Sequence, residues 1–231
     1  MFLELRDLSI AAGGMWMMLD LSCCFRTVFS FALFIAACAD DTARLDASTQ
    51  DAGQLEAPSK PRMVRWVGAV EDSDVRVAIL VGPGKARLFF CGGAESYATA
   101  TRWFNVGFDG GEHIDFHEDT WRVHAHIAFG NVSGEVELGD DVTRRFSAEQ
   151  VAPGTIAGLY EGKSDCGVIG LIVAQDSTDS PPTAQGACSG LSVAPVTAVA
   201  PIRAEAGKIP VQMTGGGDSA LMLQAATLEP L

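Results

Sequence analysis

The sequence predicts an all-β fold: an antiparallel up-and-down β-barrel, with a β-sandwich as the alternative, and a short C-terminal extension. Three observations carry this expectation. From Arg62 to about Val173, short runs rich in Val, Ile, Phe and Trp recur between Gly, Asp and Asn turns. The connections are short, so neighbouring strands run antiparallel. Within the runs apolar and polar residues alternate, the pattern of a sheet with one face buried. Consecutive hairpin-linked strands must also hide their edges. Closure into a barrel does so fully, and a sandwich less completely.

Strands are expected over 63–70, 75–81, 86–91, 98–108, 112–117, 121–129, 132–138, 142–147, 158–161 and 167–173. The first turn is Glu71-Asp72-Ser73-Asp74, and the second is Gly82-Pro83-Gly84-Lys85. Later turns are Asp109-Gly110-Gly111, Gly130-Asn131 and Gly139-Asp140-Asp141, all with turn chemistry. In the second strand Val75, Val77, Ile79 and Val81 share a face, with Arg76 opposite. In the seventh, Val132, Val136 and Leu138 oppose Ser133, Glu135 and Glu137. The stretch 175–186, with Pro181-Pro182, reads as a loop. Beyond Cys188 the composition shifts to Ala, Val and Pro, and Pro195 and Pro201 argue against central strands there. One last edge strand is expected over 208–213. A short helix is expected over 218–227, capped by Asp218. The resulting division is a signal at 1–37, a tether at 38–61, an antiparallel β domain at 62–190, and a packing extension and tail at 191–231.

The 231 residues hold 16 Lys+Arg against 29 Asp+Glu, a net charge of −13. Such an excess repels a nucleic-acid backbone, so no nucleic-acid partner is expected. Apolar residues at 48% and charged ones at 19% suffice for a real core.

The N-terminus carries an address. Arg26 precedes the apolar run Thr27-Val28-Phe29-Ser30-Phe31-Ala32-Leu33-Phe34-Ile35-Ala36-Ala37. That is the pattern of a secretory signal, and it is too short for a spanning helix. Glu4, Asp7 and Asp20 are foreign to such a signal, which makes Met15, Met17 and Met18 alternative starts. The run ends Ile35-Ala36-Ala37-Cys38, which resembles the lipobox of bacterial lipoproteins. The resemblance is confined to the N-terminus. It implies cleavage before Cys38, diacylation of its sulfur with palmitate-type chains, and a cell-envelope address. Ala39 stands where an Asp would resemble an inner-membrane retention signal, so the outer membrane is favoured. Two acyl chains hold firmly where one would be marginal. Residues 39–61, rich in Ala, Asp, Ser, Thr and Gln, read as a flexible tether reaching roughly 25 Å.

Cys91, Cys166 and Cys188 remain in the exported part, an odd number in a compartment that permits disulfides. Cys166–Cys188 is the preferred pair, which leaves Cys91 as a free thiol; spacing alone leaves the other two pairings open. No Cys-x-x-Cys occurs.

All four His residues fall between Glu112 and His126. In a hairpin here, period two buries Ile114, Phe116, Val123, Ala125 and Ile127, and turns His113, Asp115, His117, His124 and His126 outward. A loop over 118–121 sets Asp115 opposite His124 and His113 opposite His126, with β-carbons about 5 Å apart. Imidazoles and a carboxylate so placed are candidate ligands for Zn²⁺, Cu²⁺ or Ni²⁺. The same residues also suit a plain solvated sheet face. Gly82-Pro83-Gly84-Lys85 lacks the spacing of a phosphate loop. Gly162-Lys163-Ser164-Asp165-Cys166 has Cys where a nucleophile elbow needs Gly. No catalytic set is complete, and no cofactor is expected beyond such a metal. The leading expectation is a membrane-anchored envelope lipoprotein with a non-catalytic binding or structural domain, whose partner is a protein or envelope component. A metal-binding envelope protein is the alternative. A small hydrolase or ligand-binding barrel comes third.

Overall fold

A computed structural model describes residues 63–139, 142–190, 192–214 and 220–231. The expected signal, Cys38 and the expected tether lie outside these residues. Fourteen strands follow in chain order: β1 (Val64–Val70), β2 (Arg76–Gly82), β3 (Gly84–Cys91), β4 (Arg102–Phe108), β5 (His113–Glu118), β6 (Trp121–Ala128) and β7 (Asn131–Leu138). The second seven are β8 (Thr143–Gln150), β9 (Gly158–Ser164), β10 (Gly167–Ala174), β11 (Thr183–Ser189), β12 (Val193–Ala198), β13 (Lys208–Met213) and β14 (Leu221–Ala225). No helix occurs among the described residues.

The described part of the chain is all-β and barrel-like. β1 to β8 form one antiparallel sheet, ordered β4-β3-β2-β1-β8-β7-β6-β5. In cyclic order this is an up-and-down barrel left unzipped between β4 and β5. Side chains bridge that seam: the rings of Phe104 and Phe116 lie 4.8 Å apart. Arg102 also donates to Glu118 at 2.8 Å and Asp119 at 2.6 Å. β9 to β14 form a second, fully closed six-stranded barrel in which β14 returns to pair with β9.

Both interiors are packed with side chains. Inside the eight-stranded sheet Phe90 lies 6.1 Å from Phe104, 5.6 Å from Trp121 and 6.0 Å from Phe146, ring to ring. Val77, Ile79, Leu88 and Val136 fill the space around them. Ile169, Leu171, Val196, Ile209, Val211 and Leu223 fill the closed barrel. A third cluster joins the two. β2 and β3 turn Ala78, Leu80 and Phe89 outward, against Leu159, Ile172 and Ala187 of the barrel wall. These strands are thus buried on both faces, which is why they read as near-continuous apolar runs. Gly170 permits the contact, because a β-carbon there would lie 2.5 Å from the Phe89 ring.

At the same interface sits a buried ion pair. Arg87 and Glu161 side chains are 3% and 0% exposed and meet at 2.9 Å. Arg87 also donates to the Thr227 carbonyl at 2.6 Å, and the Thr227 N–H donates to Glu161 at 3.2 Å. The guanidinium lies 4.6 Å over the Trp103 ring. The C-terminal residues are thereby clasped between sheet and barrel.

Four local expectations are corrected. The strand expected over 98–108 begins only at Arg102. Residues 94–99 instead form turns, fixed where Asp74 accepts hydrogen bonds from the Glu95 N–H (2.8 Å) and the Ser96 hydroxyl. Burial pushes the Asp74 carboxyl up, but these bonds outweigh it and hold it below the usual carboxylate range. The loop expected over 175–186 ends at Pro182, and β11 starts at Thr183. β12 runs through Pro195 and β13 through Pro210. Each proline lacks an N–H but keeps its acceptor: Pro195 receives the Thr214 N–H at 3.4 Å, and Pro210 the Val199 N–H at 2.9 Å. The helix expected over 218–227 is strand β14 at Leu221–Ala225, because barrel closure between β13 and β9 outweighs a weak local preference.

Cys166 and Cys188 form a disulfide with Cα atoms 6.1 Å apart, tying the β9–β10 turn to β11. A loop of this size contributes about 3 kcal/mol on the chain-entropy model.

Candidate functional site: the imidazole face of β5 and β6

Period two and a tight turn build this face. Asp119, in the left-handed region (φ 54°), and Thr120 form the tip, with Glu118 and Trp121 as the last paired rung. His113 then faces His126, Asp115 faces His124, and His117 faces Arg122. This is the pairing that the 118–121 loop implied. Ile114, Val123 and Ala125 are buried on the reverse face.

The rings of His113 and His126 lie 5.0 Å apart, and those of His113 and His124 6.0 Å. His124 Nδ1 is hydrogen-bonded to Asp115. His126 Nε2 lies 3.7 Å from Glu112. His117 stands off from this group beside Arg122, whose Nε is 3.8 Å from Glu137. The next strand sets Glu135 opposite His124.

The face is open to water. The side chains of His124 and Asp115 are 65% and 56% exposed. No wall excludes solvent or fixes the outer partners of a ligand set. Among the described residues no group of three or more His, Cys, Asp or Glu side chains is placed to hold a metal ion. What the face offers is a row of imidazole and carboxylate hydrogen-bonding groups, with a two-imidazole pair at His113 and His126.

Cys91 lies far from a reactive setting. It is fully buried, and burial pushes its thiol up to about 12. A neutral buried thiol is a poor nucleophile. The linkage follows: the folded pKa exceeds the ordinary value of 9.0, so the stability tied to the neutral thiol is complete below pH 9.0 and drains away as pH rises through about 12. Loss in that window runs at about 1.4 kcal/mol per pH unit. Urea unfolding at about pH 8 and about pH 10.5 should therefore cost the native protein more stability than Cys91→Ala. Equal losses would place the thiol in water.

Two features escaped the sequence reading. One is the Arg87–Glu161 pair, whose only local signal is an arginine inside the apolar run Ala86–Cys91. The other is Phe129, expected as a strand end. It is a turn residue instead, fully exposed and at φ 39°.

Comparison with family models, curated proteins and solved structures returns no match.

Proposed function

We propose that this is a lipid-anchored protein of the bacterial envelope whose β domain works through its outer surface as a non-catalytic binding or structural module. The observation that carries the reading is the packing of both interiors. Aromatic side chains fill the eight-stranded sheet and aliphatic ones the closed barrel, so neither resembles a hollow ligand barrel. The lipobox-like run ending at Cys38 supports the anchor, and the net charge of −13 supports a partner other than nucleic acid.

The experiment is metabolic labelling with palmitate in a bacterial host, followed by membrane fractionation and intact mass. The expected chain starts at Cys38, carries two acyl groups and sediments with membranes. Cys38→Ala loses the label and becomes soluble. An unlabelled chain cut at another residue overturns the anchor.

A second reading, capture of Zn²⁺, Cu²⁺ or Ni²⁺ by the envelope protein, is favoured by the 5.0 Å ring separation of His113 and His126. Such a site would offer two imidazoles with water completing the shell. It requires a metal that survives desalting and is lost in His126→Ala.

A further inference from the structure

The strand ends of the eight-stranded sheet sort onto two poles. One pole holds the head of β1 and the β2–β3, β4–β5 and β6–β7 connections. The other holds the β1–β2, β3–β4, β5–β6 and β7–β8 connections. Among the described residues the second pole carries Glu71, Asp72, Asp74, Glu95, Glu118 and Asp119 beside Arg76, Arg102, Arg122 and Arg144; the first carries Asp109 and Glu112, with Glu149 opposite Asn131 and Lys85 paired to Glu229.

Phe129 stands at the first pole. With Gly130 it forms a two-residue hairpin tip in which both φ angles are positive, 39° and 89°. Such tips favour Asn-Gly, because a bulky side chain at positive φ is strained. Strain is normally offset by contacts, but the Phe129 ring has none in the domain, being fully exposed. The tip is nonetheless held firmly. The Gly130 carbonyl accepts the Trp66 indole N–H at 3.1 Å and the Gln150 N–H at 2.8 Å. Trp66 belongs to β1, so the same hydrogen bond ties the tip to the strand through which the chain arrives from Cys38.

We infer that Phe129 is a second membrane contact, an aromatic finger that enters the lipid interface while the acyl chains at Cys38 hold the domain nearby. The inference rests on the anchor proposed above. One ring binds a bilayer weakly by itself, but a tether of short reach turns its insertion into an intramolecular step at high effective concentration. The occupant is the bilayer, not a protein groove, because the ring is a convex tip with no lined cleft around it.

The test uses the full acylated chain in phosphatidylcholine–phosphatidylglycerol vesicles. A nitroxide is placed at Asn131→Cys, beside the tip with Phe129 intact, or at Thr120→Cys on the opposite pole. Background labelling is low, since Cys91 is buried and Cys166–Cys188 is a disulfide. Mass spectrometry first establishes acylation at Cys38. The expected result is several-fold protection of the label at 131 from an aqueous nickel quencher, with raised oxygen accessibility, and none at 120. The protection at 131 should be lost when Phe129→Asn is added, a change that the turn geometry favours and that keeps the fold. Equal quenching at 131 and 120 in an acylated chain with Phe129 intact, or protection at 131 that survives Phe129→Asn, overturns the finger and leaves the anchor standing. A chain without acyl groups overturns both.

Discussion

Glu161→Ala is expected to lower folding stability by about 3–5 kcal/mol, the largest loss for any single side chain outside the aromatic core. The removed carboxylate is fully buried and, among the described residues, is the only countercharge that Arg87 meets. Without it the guanidinium keeps the Thr227 carbonyl as partner, but its charge sits uncompensated in a dry interface. That loss would consume much of a typical domain's margin. The double substitution Arg87→Met with Glu161→Leu should recover most of it, because apolar replacements of buried ion pairs are often neutral or better. Urea denaturation of both variants decides the matter. A single variant that loses less than about 1 kcal/mol would mean that water reaches the pair and screens it.

Phe90→Ala should be comparably costly, at about 3–5 kcal/mol. Phe90 sits amid Phe104, Trp121 and Phe146, and edge-to-face contacts with two of them would be lost along with its buried area. The void would be lined by apolar groups and stay dry, so the variant should gain stability from a small aromatic additive such as benzene, which the native protein has no room to bind. Absence of that gain, with the stability loss present, would mean that the sheet collapses into the space. No loss at all would contradict the filled interior on which the functional proposal stands.

The eight-stranded sheet was largely legible because each of its strand pairs, apart from β1–β8, is local and its turns carry Asp, Gly or Asn. The imidazole face was legible for the same reason: nine residues separate Asp115 from His124, and period two does the rest. The closed barrel was far less so. β11 carries Ala184, Gly186, Ala187 and Cys188 where a strand usually shows larger apolar residues, and packing against β10 demands the glycine: a β-carbon on Gly186 would meet Leu171 at 2.7 Å. Small residues weaken the hydrophobic period on which strand reading depends. β14 is a strand because β13 pairs with it on one side and β9, more than fifty residues earlier, closes the barrel on the other. The Arg87–Glu161 contact spans 74 residues and joins two separate sheets, so no local pattern announces it. Phe129 was misplaced because an aromatic at the end of an apolar run resembles strand, and only the backbone reveals the left-handed turn.

The clasp on the C-terminal residues also imposes an order of assembly. Synthesis delivers a chain from its N-terminus, so strands β1 to β8 are available long before Thr227. Yet Arg87, in the third of those strands, finds its full set of partners only when Glu161 and Thr227 have both arrived, the latter 140 positions downstream. Leu80 and Phe89 are covered earlier, once the barrel wall brings Leu159, Ile172 and Ala187 over them. A chain cut short before Thr227 would keep that apolar cover but leave the Arg87 guanidinium without its carbonyl acceptor. The buried charge is therefore satisfied later than the apolar face around it.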